Sequence, residues 1–216
     1  DNDKKYISME SLENHLVDRE HGIIKLLDPP FEKGILNPGY IKAYLPGTRE
    51  NGGQYTHSSI WAVIAEAILG FGNKAGEYYR MINPIEHSRT KEAAQKYKVE
   101  PYVIAADIYG QGNLAGRGGW TWYTGSGSWM YEAGVKYLLG LRIQKGILTL
   151  KPCIPSDWKE YSFRYQYGNT IYHVVVKNPN GQNTGNRKFV VDGQEVEEKQ
   201  LQLTKNGGVH HIEVEM

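Results

Sequence analysis

Residues 116–129 read GRGGWTWYTGSGSW, three tryptophans and a tyrosine among five glycines and an arginine. A packed core uses the rings but not the glycines, and a linker uses the glycines but not the rings. A binding site uses both. Thr124-Gly125-Ser126 fits the start of a helix, where the first amides lack internal partners and the dipole is positive. Such a start can hold a phosphate, sulfate or carboxylate: the glycine lets the backbone approach and Thr or Ser adds a hydroxyl donor. The alternative is that Thr124 or Ser126 is an N-cap and nothing more. ENGGQYTH (50–57) is built the same way. Two glycines turn the chain, and Gln54, Tyr55, Thr56 and His57 then arrive at a helix start, where a histidine can bind or protonate an anion. Its alternative is a surface histidine at a helix start.

Other stretches point to less. IYGQGNLAG (108–116) formally matches a dinucleotide fingerprint, but that motif needs a strand before it and a helix after it, and GRGGWTWY is not helical. YTGSGSW misses the spacing of a nucleophile elbow, since Thr124 stands two residues before Ser126 and Met130 two after Ser128. His15, His21, His87 and His173 are isolated in sequence. His210 and His211 are adjacent, so in a strand they point to opposite faces and cannot chelate one metal. No carboxylate–histidine spacing fits a zinc site. Glu50, Glu66, Glu86, Glu100, Asp107 and Glu132 are carboxylates to weigh in the first two-thirds of the chain. Glu100, before Pro101, is placed to hydrogen-bond a sugar.

These residues need elements to position them. Residues 7–17 have apolar side chains at helical spacing, and residues 28–53 are a loop punctuated by Pro and Gly but holding Phe31, Tyr40 and Tyr44. Residues 56–69 (THSSIWAVIAEAIL) are a helix apolar nearly all round, expected to be buried. Helices follow over 74–82 and 90–97, and 102–109 is assigned to a helix from its neighbours. Residues 128–139 complete the series, with Gly140 at the expected end. Short segments rich in Val, Ile, Tyr and Phe then occupy 147–150, 161–167, 170–177, 188–191 and 210–214, separated by turn residues, with 161–167 and 170–177 as a hairpin. Helices followed by strands in blocks mean α+β or two domains: 1–141 helical, 142–216 β.

Composition narrows the class. The 216 residues suffice for a core, and a formal net charge of +1 gives no nucleic-acid or membrane-surface patch. No apolar run approaches the ~20 residues of a membrane span. The first residues have no signal-peptide pattern. One cysteine, Cys153, precludes an internal disulfide and suits a reducing cytosol. Sixteen tyrosines and five tryptophans are ordinary core and surface rings, or flat platforms for the apolar faces of pyranoses.

Taken together, ENGGQYTHSSIWAVIAEAILG, INPIEH, EPYVIAADIY, GRGGWTWYTGSGSWMY and LKPCIPSDW resemble the C-terminal part of glycoside hydrolase family 94, the inverting β-glucoside phosphorylases. GYIKAYLPGTRENGGQYTH and GRGGWTWYTGS carry the flavour of the branch holding 1,2-β-oligoglucan phosphorylase and the C-terminal region of cyclic β-1,2-glucan synthase. The likeness covers nearly the whole chain and weakens after about Pro179. It implies part of an (α/α)6 catalytic barrel over 1–141, followed by an antiparallel β-sandwich of jelly-roll type over 142–216. It implies phosphorolysis of a β-glucoside, with inorganic phosphate as co-substrate, no further cofactor, and inversion to an α-sugar 1-phosphate. His57 and Thr124 with Gly125 match the family's phosphate-binding positions, Tyr44, Gln54 and Glu100 its sugar subsites, and Trp120 and Trp122 wall the sugar pocket. Arg117 matches no family phosphate ligand.

The family's general acid is an aspartate in an upstream DWND-like motif, and its phosphate-binding arginine is also upstream. The DW found here, Asp157-Trp158, lies in IPSDW at the β-domain junction. The resemblance therefore implies a fragment, catalytically inactive alone, whose partners are β-glucan, phosphate and the missing N-terminal part, with a homodimer left open and no nucleic acid. A cytoplasmic setting is expected, the parent being a soluble phosphorylase or a membrane-bound synthase. Two rival readings are a non-catalytic carbohydrate-binding or assembly module, and a glycoside hydrolase on the same helical toroid.

Overall fold

The computed structural model describes residues 2–32, 37–122 and 124–216. Its elements run α1 (Asn2–His15), β1 (Val17–Asp18), β2 (Ile23–Ile24), β3 (Gln54–Tyr55), α2 (Thr56–Leu69), α3 (Gly72–Met81), α4 (Pro84–His87), α5 (Lys91–Tyr97), β4 (Asp107–Ile108) and α6 (Thr124–Glu132). A π-helical stretch (Ala133–Leu138) then leads to β5 (Leu141–Gln144), β6 (Ile147–Leu150), β7 (Glu160–Tyr167), β8 (Thr170–Lys177), β9 (Lys188–Val191), β10 (Gln194–Glu195), β11 (Gln200–Gln202) and β12 (Val209–Glu215). Helices followed by several sheets is the order expected from the sequence. Two compact units form, Asp1–Ala65 with Glu77–Tyr131, and Glu66–Gly76 with Glu132–Met216. Among the described residues no helix is long and apolar enough to cross a membrane.

In the first unit Ile23, Tyr97, Ala105 and Ile108 make a buried cluster. Local signals set the helix ends: the Asn83 side chain caps α4 ahead of Pro84, Thr90 caps α5, and Lys98 closes α5 in the left-handed region. Helix α2 spans the residues expected of it but is not buried all round. Ile60 and Val63 are buried, whereas Trp61 is 54% exposed, and at the far end of the helix Ile68 is 66% exposed.

The helix expected over 102–109 does not form. Asp107–Ile108 is a strand paired antiparallel with β3, Gln54 opposite Ile108 and Tyr55 opposite Asp107. Ala106 N–H donates to the Trp120 carbonyl (2.6 Å), and the Ala106 carbonyl accepts from Thr56 N–H (2.9 Å). With the backbone groups of 106–108 bonded to distant segments, the helical ladder cannot run through them.

In the second unit, strands β10-β9-β12-β8-β7 make a five-stranded sheet and β11-β6-β5 a three-stranded one. Inward residues of both, Leu148 and Leu150 from one and Tyr172, Val174, Val176, Phe189, Ile212 and Val214 from the other, share one core. The hairpin expected from 161–167 and 170–177 is present as β7–β8. The larger sheet departs from the antiparallel expectation: β12 runs parallel to β8, His211 beside His173. The long excursion through β9, β10 and β11 lets the chain return in the same direction, which a tight hairpin turn cannot do. The helical stretch expected over 128–139 is split, α6 passing into the π segment, which ends at Gly140 with φ +77°.

Candidate functional site

Two helix starts meet in the first unit. His57 is the second residue of α2 and Gly125 the second of α6. A Cβ built on Gly125 would lie 2.9 Å from His57 Cε1, closer than real Cβ atoms come, so glycine is what lets the imidazole sit against the first turn of α6. The two positive helix ends and a ring nitrogen thus border one spot. The imidazole is boxed by rings, Tyr55 stacked at 6.4 Å and Trp61 and Trp129 edge-on at 5.9 and 6.1 Å between centroids. Trp61 and Trp129 also meet edge-on at 6.0 Å. The Ser126 residue is buried. The side chain of Thr124, expected to donate here, lies outside the described residues, as does Tyr123.

A second cluster lies on the loop before β3 and on β4. The Arg49 guanidinium stands 5.4 Å from the Tyr44 ring centroid and 5.1 Å from that of Trp120. A hydrogen bond with Tyr44 raises its pKa further above the ordinary arginine value. The buried Asp107 carboxylate accepts from Trp120 N–H (2.8 Å) and from the backbone of Arg49. Burial pushes the Asp107 carboxyl above the usual carboxylate range, and those two donors and the Arg49 charge oppose the rise without cancelling it. A Cβ on Gly119 would be 2.6 Å from Asp107 Oδ1, so this glycine makes room for the carboxylate. Neighbouring Glu50 keeps Oε2 buried with no hydrogen-bond partner. A half-exposed cation between two rings, beside carboxylates, can stack on and hydrogen-bond a pyranose.

Of the residues expected to act, His57 and Gly125 come together, and so do Tyr44 and Trp120, through Arg49. Trp122 is 69% exposed with φ +61°, a backbone setting rare for a bulky side chain. Gln54 does not fit the sugar role. It is fully buried, its carbonyl accepts from Ile24 N–H (3.0 Å) and its amide donates to the Thr56 hydroxyl (3.2 Å), so both ends serve the fold. Glu100 is exposed, and among the described residues no hydrogen bond or ion pair joins its carboxylate to either cluster. Sequence reasoning did not single out Arg49 or Trp61. Arg49 had one signal, its place just ahead of the Asn51-Gly52-Gly53 turn. Among the described residues no group of three or more His, Cys, Asp or Glu side chains could hold a metal ion.

Comparison with known proteins agrees with the family read from the motifs. The model of the glycosyl hydrolase 94 superfamily catalytic domain matches residues 1–140, and that of the glycosyl hydrolase family 65 C-terminal domain matches 141–183. Cyclic β-(1,2)-glucan synthase NdvB of Rhizobium meliloti is 47% identical over 176 residues, 82% of this chain and 6% of that protein. Solabiose phosphorylase of Paenibacillus borealis is 29% identical, with 96% and 27% covered. N,N'-diacetylchitobiose phosphorylase of Vibrio furnissii is 33% identical, with 74% and 20% covered. The chain thus spans between 6% and 27% of the length of these relatives.

Proposed function

The chain belongs to the glycosyl hydrolase 94 superfamily, and from that membership we propose that it supplies the phosphate-holding and sugar-contacting part of an inverting phosphorylase of β-1,2-glucan. The observation that carries the reading is the meeting of His57 with Gly125 at two helix starts. Phosphate fits that spot because the dipoles of two helix starts and an imidazole all favour an anion. The choice of β-1,2-glucan is supported by the glucan synthase relative.

In the proposed reaction a phosphate oxygen bonds to the anomeric carbon as the glycosidic C–O bond breaks. The leaving oxygen takes a proton from a carboxylic acid, and an α-glucose 1-phosphate results. Phosphate arrives already anionic, so no general base is needed. What the protein contributes is its in-line placement, by His57, the amides around Gly125 and the Thr124 hydroxyl. Tyr44, Arg49 and Trp120 border the sugar. The proton donor belongs to a longer protein, since the aspartate that the resemblance assigns to this role has no match in the 216 residues. In that protein residues 1–141 close part of an (α/α)6 barrel, 142–216 form a β-sandwich, and the reaction runs in the cytoplasm.

The test is phosphate-dependent release of α-glucose 1-phosphate from β-1,2-gluco-oligosaccharides, run on this chain and on a longer protein containing it. The longer protein should turn over and the chain alone should not. His57→Ala in the longer protein should weaken apparent phosphate affinity by roughly tenfold or more, the worth of one charge-assisted hydrogen bond. Turnover by the chain alone would move the acid to one of its own carboxylates, such as Asp107 or Glu50. Free glucose released without phosphate would make the protein a hydrolase.

A further inference from the structure

The second unit carries two adjoining cavities of about 730 and 500 Å³, both within the size of small-ligand sites. Arg142 and Lys151 line both, and Lys145, at the turn between β5 and β6, lines the smaller. No aspartate or glutamate lines either, and among the described residues none of these three cations has a carboxylate within ion-pair distance. Elsewhere Arg19, Lys25, Arg89, Lys136, Lys177 and Lys188 each have one. In a chain of formal net charge +1, three unneutralised cations around one trough are a local field that favours an anion.

Strand pairing supplies the rest of the site. Arg142 and Gln200 both stand opposite Thr149, so β5, β6 and β11 set a guanidinium, a hydroxyl and a carboxamide in one row, with Gln144 on the same face. The other face of the hairpin turns Leu148 and Leu150 into the core. The Arg142 guanidinium lies 5.5 Å from the Tyr137 ring centroid and its Nε–H donates to the Lys136 carbonyl (3.5 Å), contacts that hold the group beside the trough. Cations suit a phosphate ester, while carboxamides and a hydroxyl suit sugar hydroxyls. We propose that this trough binds a sugar phosphate. It uses no residue of the candidate phosphate site and does not depend on the reaction proposed above.

The test is an amide magnetic-resonance titration of the isotope-labelled chain with α-glucose 1-phosphate. Amides of 142–151 and of Gln200 should shift along their own binding curve, separate from any curve of residues 55–59 and 125–128. The Arg142→Gln, Lys151→Gln double variant should weaken the trough's curve by roughly tenfold or more and leave the other unchanged. Its spectrum also reports whether it is folded, and Lys145→Gln gives a milder second variant. Three results would overturn the proposal: no shift at these amides, equal affinity for neutral glucose, or equal affinity for inorganic phosphate, which would reduce the trough to a site for simple anions.

Discussion

Gly125→Ala sets two effects against each other. Gly125 is helical and has no positive φ, so on helix propensity alone alanine should stabilise α6 by about 0.5–1 kcal/mol. The added methyl, however, would stand 2.9 Å from His57 Cε1 and 3.6 Å from Nδ1. To regain ordinary contact the ring must retreat by about half an ångström. Tyr55, Trp61 and Trp129 surround it, so the retreat carries an overpacking cost of about 1–3 kcal/mol. The net change in fold stability should therefore be small or mildly unfavourable. Phosphate binding has no such compensation. Losing one charge-assisted hydrogen bond costs about 1.5–3 kcal/mol, or about 10–150-fold in affinity. Calorimetric titration of phosphate beside thermal melts of parent and variant reads both quantities. A variant that melts higher and binds phosphate within about twofold of the parent would refute the reasoning, since His57 would then not face the anion.

Two further outcomes follow from buried polar groups. His87 is stacked on Tyr97 at 4.8 Å with Nε2 buried and unpartnered, and burial lowers its pKa from 6.5. The unfolded chain therefore binds the proton more readily, so the stability tied to this group is complete above about pH 6.5 and is lost as pH falls through the folded value. Asp107, raised from 3.8 by burial, gives the opposite slope just above its ordinary range. His87→Phe should keep the stacking and flatten the acid limb near pH 6 in denaturant midpoints measured against pH, and an unchanged limb would absolve His87. Asn51 is fully buried; it accepts from Phe31 N–H (2.7 Å) and donates to the Phe31 and Tyr44 carbonyls (2.9 Å each). Asn51→Ala should cost about 2–4 kcal/mol in chemical denaturation and loosen Tyr44.

The elements that sequence reasoning placed well carry their own local signals. The α2 segment has dense apolar spacing, 188–191 carries Phe189, Val190 and Val191 after turn residues, and β7–β8 closes on Gly168-Asn169. The errors share a different cause. Residues 102–109 are apolar in a pattern that suits helix or strand equally, and their state is set by β3, Thr56 and Trp120, between about a dozen and fifty residues away in sequence. The parallel pairing of β12 with β8 likewise depends on a return path that no local pattern encodes. Gln54 has a neighbourhood in sequence that looks like a site, while the groups that bond its amide, Ile24 and Thr56, include one thirty residues upstream. Arg49 became visible only once Tyr44 and Trp120 were seen on either side of it.

The small β3–β4 ladder explains why rings and glycines share residues 116–129. Strand β3 runs directly into α2 and so fixes where His57 starts that helix. On β4, Asp107 reaches the backbone of both Trp120 and Arg49, which ties the glycine-rich stretch to the loop ahead of β3. Gly119 accommodates that carboxylate and Gly125 accommodates the imidazole, six residues apart in one segment. Trp120 stands against the Arg49 guanidinium and Trp129 against the His57 ring, and each of these two glycines clears space for a polar group. The cost is a buried carboxyl held against its own desolvation, an expense that core packing alone would not require and that a positioned cation and tryptophan do.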